Sequence, residues 1–156
     1  MTQKNSLLTL IIVALVSGLY LNALGWLGNA VILQADWKAA AGQIGQALDL
    51  PWPALVRELL TLVSDFVYAF ALVWIYAALV PGHRAPVRLA LELIVLVWLT
   101  TVGMTYLALV NSGFLPVGIA WKTSLWALVT FLPLAMFLPL VLRERSEAPG
   151  VPAGGR

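Results

Sequence analysis

Charged side chains are scarce in this chain of 156 residues. Asp, Glu, Lys and Arg together make up 10% of it, whereas hydrophobic residues make up 62%. A soluble domain usually contains about 25% charged and about 45–50% apolar residues. Nine basic and seven acidic side chains cannot cover a water-facing surface. The composition therefore excludes a soluble enzyme, a disordered chain and a nucleic-acid-binding domain, and it predicts an integral membrane protein.

Residues that bind metals or carry out redox chemistry are almost absent. The chain has no cysteine, which excludes disulfides, thiolate zinc sites and iron–sulfur ligation. Its one histidine, His83, lies in a proline-rich turn, so two histidines of one chain cannot ligate a haem. No zinc-protease, nucleophile-elbow or phosphate-loop motif is present. We therefore expect no cofactor, no metal site and no enzymatic activity.

Four apolar runs are long enough to cross a bilayer, which takes about 20 helical residues. They cover residues 7–33, 54–80, 87–110 and 117–142, and none alternates like a barrel strand. A cleaved signal peptide is a poorer interpretation of the first run, because its apolar character continues to Leu33. The sequence predicts an all-α, four-helix transmembrane bundle as one domain (1–142), followed by a flexible cytoplasmic tail (143–156) rich in glycine and proline.

The basic residues predict the orientation of the bundle, because cytoplasmic loops carry an excess of Lys and Arg. Three lie on the side of the first and third loops, namely Lys38, Arg57 and Lys122. Six lie on the side of the two termini, namely Lys4, Arg84, Arg88, Arg143, Arg145 and Arg156. We therefore predict a multi-pass protein of the bacterial cytoplasmic (inner) membrane with both termini in the cytoplasm.

The first external loop has the pattern of a short amphipathic helix. Asp36 is a suitable N-cap residue, and apolar side chains follow at helical spacing on one face. These side chains are Trp37, Ala40, Ala41, Ile44, Ala47 and Leu48. We predict an interfacial helix from about residue 36 to about residue 48, lying at the outer surface of the membrane.

Small and amide residues form one stripe along the first span. Gly18, Asn22, Gly25 and Asn29 are separated by four, three and four residues, which places them on one helical face. Small residues allow helix backbones to approach closely, and amides hydrogen-bond across such a contact. The stripe therefore predicts a helix-packing surface.

Asp65 is the most unusual residue, because an aspartate at the centre of a transmembrane helix costs about 2.5–3.5 kcal/mol on insertion scales. It must be either hydrogen-bonded within the bundle or protonated. A rise of about 1.5 Å per residue places polar groups of all four spans at a similar depth. This predicted polar layer consists of Asn22, Asp65, Tyr68, Thr100, Thr101, Trp126 and Thr130. We predict that Asp65 bonds to Asn22 and a threonine.

Two charged residues are predicted ion partners near this layer. Glu58 lies two turns from Asp65 on the same helix, and the flexible stem of Lys122 allows it to reach either outward or toward the two acids. The layer is consistent with a structural clasp that fixes helix register, and also with a proton relay.

A stretch of the second span resembles a motif of uncharacterised small bacterial four-helix membrane proteins. The matching residues are Ser64-Asp65-x-Val67-Tyr68 and Trp74-Ile75-Tyr76-Ala77-Ala78, followed by a Gly/Pro turn. The resemblance implies four spans and no assigned activity. It differs from that family in the basic pair His83-Arg84 of the turn.

These observations lead to three functional expectations. The first is a non-enzymatic accessory or stabilising subunit of a larger membrane complex, or a small homo-oligomer. The second is a small proton-linked transporter that uses Asp65. The third is a binder of a hydrophobic cofactor or lipid. The expected partners are the lipid bilayer and other membrane subunits or further copies of the chain, and not nucleic acid.

Overall fold

The computed structural model describes residues 6–44, 54–82 and 85–142, and these ranges contain helices and turns but no strand. Four helices are long and apolar enough to cross a membrane. They are Leu7–Ile32, Leu59–Leu79, Pro86–Asn111 and Val117–Val141. The described residues therefore confirm the prediction of an all-α chain with four helices of membrane-spanning length and hydropathy. The predicted tail (143–156) and the predicted interfacial helix beyond Ile44 lie outside the described residues.

Within the described residues, seven α-helices build the spans and the first loop. The first span is α1 (Leu7–Leu27), which continues into a π-helical turn (Gly28–Ile32). Next come α2 (Gln34–Ile44) and α3 (Ala54–Leu79), the latter ending in a 3₁₀ turn (Val80–Gly82). The third span comprises α4 (Pro86–Val97), a second π-helical turn (Trp98–Gly103) and α5 (Met104–Asn111), and the fourth comprises α6 (Val117–Phe131) and α7 (Leu134–Val141).

Local chemistry explains several of these boundaries. The hydroxyl of Ser6 accepts a hydrogen bond from the backbone N–H of Thr9 and so caps α1. Pro86 occupies the first turn of α4, where its missing N–H removes no helical bond. Pro133 separates α6 from α7, because a proline inside a helix removes a backbone donor and displaces a carbonyl.

The half of the bundle near the start of α1 and the end of α7, hereafter the closed half, is packed all round. In it α1 packs on α3, α3 on α4, α4 on α7, and α7 returns to α1. Its centre contains side chains that are fully buried, among them Leu72, Tyr76, Ile94 and Leu138. The closed half is therefore a complete four-helix core.

The opposite half, hereafter the open half, is an arc. Here α3 packs on α1, α1 on α6, and α6 on α5, but no contact of comparable extent joins α3 to α5 among the described residues. In α5 no residue is buried, and most described side chains of α3 before Asp65 are exposed. The open half thus has a gap between the second and third spans.

The helix α2 closes the outer end of the arc. It begins at Gln34, two residues earlier than predicted, because Trp37 N–H bonds to the carbonyl of Leu33 directly after the π-helical turn. Ala40 is buried against α6, as the predicted apolar face requires. The predicted N-cap was wrong, since Asp36 lies within the helix and its carboxylate pairs with Lys122.

Candidate functional site

A cavity of about 920 Å³ fills the open half. Its back wall is formed by α1 and α6, and its two sides by α3 and the Trp98–Gly103 turn with α5. Trp37 of α2 and Phe114 of the following turn lie at its outer end. Because α3 and α5 do not close on each other, the cavity is a cleft that opens between the second and third spans.

Asp65 and Asn22 face each other inside this cleft. The amide Nδ2 of Asn22 donates a hydrogen bond of 3.1 Å to Oδ2 of Asp65, and both residues line the cavity. The bond joins the two most extensively packed helices, α1 and α3. The predicted bond between these two residues is therefore present, and Asp65 is half-buried at mid-span. The hydrogen bonds described for the threonines of the predicted layer go to backbone carbonyls and not to Asp65.

Asp65 has no basic neighbour among the described residues of the cleft. No Lys, Arg or His is among the described residues that line the cavity. Lys122 was predicted to reach either outward or toward Asp65 and Glu58. It pairs with Asp36 at 2.6 Å, so the predicted approach to Asp65 was wrong. The side chain of Glu58 lies outside the described part of the structure. The other described ion pair, Arg88–Glu92 at 2.8 Å, is the exposed pair expected from its i,i+4 spacing.

The threonine hydroxyls of the predicted polar layer donate hydrogen bonds to backbone carbonyls of their own helices. Thr100 and Thr101 donate to carbonyls of their own helix, those of Leu96 and Val97, and Thr130 donates to Ala127 at 2.7 Å. Thr101 and Thr130 line the cleft, whereas Thr100 is exposed and lies off it.

Aromatic side chains supply much of the remaining wall. Trp126 donates its indole N–H to the carbonyl of Leu24 at 3.0 Å, and Trp37 donates to Oδ1 of Asn29 at the same distance. Tyr68, Tyr106 and Trp26 also line the cavity. The rings of Trp37 and Trp126 are thus fixed to the first span by their polar edges.

The residues of the predicted small-residue stripe differ in what surrounds them. A Cβ on Gly18 would lie 2.5 Å from Cδ1 of Phe66, so this glycine admits close packing of α3. A Cβ on Gly25 would meet nothing within 4 Å, and this residue lines the cleft. Asn29 donates to the carbonyl of Gly25 at 3.0 Å. The tightest packing is at the neighbouring Gly28, where a Cβ would overlap Nε1 of Trp126.

Sequence reasoning missed several polar groups. Trp98 donates to the carbonyl of Ser124 at 2.8 Å and ties the third span to the fourth. The hydroxyls of Ser17, Tyr76 and Thr123 are buried without a hydrogen-bond partner in the described part of the chain. Only Thr123 of these three lines the cleft. Unlike Asp65, none of the four stands out in the sequence, because Trp, Tyr, Ser and Thr are common in membrane helices.

These features define a class: a helical membrane protein whose four spans form a closed core in one half and a polar, side-opening cleft in the other. Comparison of the chain with protein-family models, with curated proteins and with solved structures finds no significant match. The resemblance of the Asp65 motif to small bacterial four-helix proteins therefore stays a prediction. Within the described residues no group of three metal-ligating side chains occurs either.

Proposed function

We propose that the chain is a non-enzymatic protein that binds a small amphiphilic molecule in the cleft, with the polar part of that molecule at Asn22 and Asp65. The observation that carries this proposal is the cavity of about 920 Å³ into which the Asn22–Asp65 pair faces. Ligand sites are typically concavities of about 300–1,000 Å³, with mostly apolar and aromatic walls and a few placed polar groups. The cleft has that size and that composition.

The position of the pair also favours a binding role over a register clasp. Ionisable residues within membrane helices face the bundle interior or a water-filled cavity, and they mark substrate or ion pathways. A clasp requires only that Asp65 be sheltered by its neighbours, whereas here the residue borders a space large enough for a ligand. We infer that the cleft admits water as far as Asp65.

A matched pair of glycine variants tests the proposal. Gly25 lines the cleft and Gly118 lies exposed on α6 outside it, and a Cβ at either position meets nothing within 4 Å. Gly25→Leu fills the cleft, and Gly118→Leu adds the same side chain to the outer surface. Small molecules that co-purify in mild detergent are extracted and measured by mass spectrometry.

We expect an amphiphile that is present with the unmodified protein and with Gly118→Leu but absent with Gly25→Leu. The same set of molecules in all three samples, in the amounts found with detergent alone, would contradict ligand binding in the cleft.

Proton-linked transport is the second candidate, supported by the approach of the cavity to a single mid-span carboxylate. Transport requires that Asp65 take up and release protons during a cycle that carries the ligand across the bilayer. Reconstituted Asp65→Asn protein should then lose ligand flux while keeping its fold. Flux that is equal in Asp65→Asn and unmodified protein would contradict this role.

The proposed setting is the bacterial cytoplasmic membrane, with both termini in the cytoplasm and α2 at the outer interface. The distribution of Lys and Arg and the buried contact of Ala40 with α6 support this arrangement. Membership of a larger complex, or a homo-oligomer, also stays a proposal for which the small soluble loops are the support. Gentle extraction followed by sizing tests it, and a lone monomer would contradict it.

A further inference from the structure

We propose that the amphiphile is an organic cation: a positively charged amine, ammonium or comparable group attached to an apolar, ring-containing body. This inference rests on the proposed function, because it assigns the chemistry of the ligand that the cleft binds. The supporting observation is that the described residues lining the cavity include one carboxylate and several aromatic rings but no basic side chain.

The carboxylate of Asp65 provides the selection for positive charge. Its identified side-chain partner is the neutral amide of Asn22, which donates a hydrogen bond but cancels no charge. Lys122, the basic residue that the sequence analysis placed within reach of Asp65, instead pairs with Asp36 at 2.6 Å. A carboxylate attracts a cation that binds beside it, and the attraction grows as the ligand displaces water from the site. A ligand cation supplies a positive charge that none of the described side chains lining the cavity provides.

The aromatic walls provide a second attraction for a cation. The indole N–H groups of Trp37 and Trp126 are already bonded to Asn29 and Leu24, so these rings retain only their π-faces for a ligand. The negative face of Trp or Tyr attracts a cation within about 6 Å, most strongly when both are desolvated. An anionic ligand would be repelled by the same faces and by Asp65.

The size and polarity of the cleft exclude a bare inorganic ion as its main occupant. Calcium binds to about six to eight oxygen ligands at close distance, and no cluster of three acidic or histidine side chains occurs among the described residues. A volume of about 920 Å³ is that of a multi-ring molecule rather than an ion. The apolar side chains Leu21, Leu62 and Leu109 line the part of the cavity that such a body would contact.

Tetraphenylphosphonium and tetraphenylborate test the inference, since they have nearly the same size and shape and opposite charge. Binding of each ion to the full chain in mild detergent is measured by equilibrium dialysis. We expect tetraphenylphosphonium to bind and tetraphenylborate to bind about tenfold more weakly or not at all. This comparison uses the unmodified protein and so does not depend on any variant that might fail to fold.

Substitutions then locate the charge that is responsible. Asp65→Asn keeps the shape of the side chain, and we expect it to weaken tetraphenylphosphonium binding about tenfold or more. Asp65→Glu keeps the charge and should retain most of the affinity. Glu92→Gln is the matched control, because it removes an exposed carboxylate that does not line the cleft; it should leave the affinity unchanged.

The outcomes separate the inference from the proposed function. Equal binding of the two ions, or an affinity that Asp65→Asn does not change, would overturn the assignment of a cation. If an amphiphile still co-purifies and Gly25→Leu still removes it, the proposed function stands without that assignment. If neither ion binds and Gly25→Leu changes nothing, both are wrong.

Discussion

The two halves of the bundle are built from the same four spans and differ in how those spans meet. In the closed half each helix has two neighbours, and residues such as Leu138 and Ala90 are fully buried. In the open half the second and third spans have separated, and the space between them holds the mid-span acid. The difference shows that one short chain can combine a stable core with a cavity by leaving one helix contact unmade.

Breaks in the helices lie where the two halves join. The third span passes through a π-helical turn at Trp98–Gly103, and the fourth is interrupted between Phe131 and Leu134. π-Helical insertions and prolines are established causes of bends, and π-helical turns are frequent at functional sites. Both breaks lie near the middle of their spans, where the regular hydrogen bonding of each helix is interrupted.

The largest expected difference between the halves concerns truncation of core leucines. Leu138 is fully buried in the closed half, whereas Leu140 on the same helix is 72% exposed. We expect Leu138→Ala to lower the free energy of unfolding by about 2–3 kcal/mol, because it leaves an unfilled space in the core. Leu140→Ala should cost less than about 0.5 kcal/mol. Unfolding in mixed micelles measures the free energy of both variants. Equal losses would contradict the assignment of Leu138 to the core of the closed half.

A second comparison uses two glycines of the first span that are three residues apart. A Cβ on Gly28 would overlap the Trp126 ring, which cannot retreat without losing its bond to Leu24. We expect Gly28→Ala to cost about 1–2 kcal/mol of unfolding free energy through overpacking. At Gly25 the same substitution enters the open cleft and should be neutral or slightly stabilising. Thermal unfolding in detergent measures the loss of stability in each variant. Similar losses for Gly28→Ala and Gly25→Ala would show that Gly28 does not pack against Trp126.

The Asn22–Asp65 hydrogen bond is expected to contribute modestly. Hydrogen bonds between membrane helices have coupling energies of about 0.6 kcal/mol on average and about 1.7 kcal/mol at most. A double-mutant cycle with Asn22→Ala and Asp65→Ala should therefore give about 1 kcal/mol. A coupling of zero would show that the two side chains do not meet. A value of several kcal/mol would favour the clasp over the binding role.

The smallest expected effect belongs to the ion pair at the outer end of the cleft. Lys122 and Asp36 remain partly exposed, with 52% and 36% of their side-chain surfaces accessible. Exposed ion pairs contribute about 0–1 kcal/mol, and salt weakens them. Lys122→Met should therefore change the unfolding free energy by less than about 1 kcal/mol, and even less in high salt. A larger and salt-independent loss would show that the pair is the main attachment of α2.

The sequence predicted the four spans well because their length and hydropathy are properties of single segments. The sequence also predicted that Asn22 and Asp65 lie at the same depth in the membrane, because the rise per residue is the same in every straight helix. The cleft itself was not predictable in this way. Whether α3 and α5 touch depends on how the spans continue after the breaks at Trp98–Gly103 and Pro133, and a π-helical turn has no clear sequence signal.

Side-chain partners were the least predictable feature. Lys122 had two acids in reach by depth arithmetic, and the structure pairs it with a third, Asp36, because α2 begins two residues early and lies over α6. Thr100 was grouped with Thr101 because depth alone says nothing of the direction in which a side chain points. The rotation of each helix about its axis is set by packing against its neighbours, which one sequence does not reveal.

The central claim is that water reaches the first span through the open half and nowhere else along that helix. The absence of native cysteine allows a test with single cysteines in α1. Gly25→Cys lies in the cleft, Ala14→Cys in the closed core, and Leu19→Cys at a site that is 61% exposed outside the cleft. A charged methanethiosulfonate reagent is added to both sides of reconstituted vesicles. We predict rapid labelling of Gly25→Cys alone. An unreactive Gly25→Cys, or equal labelling of Leu19→Cys, would contradict the account.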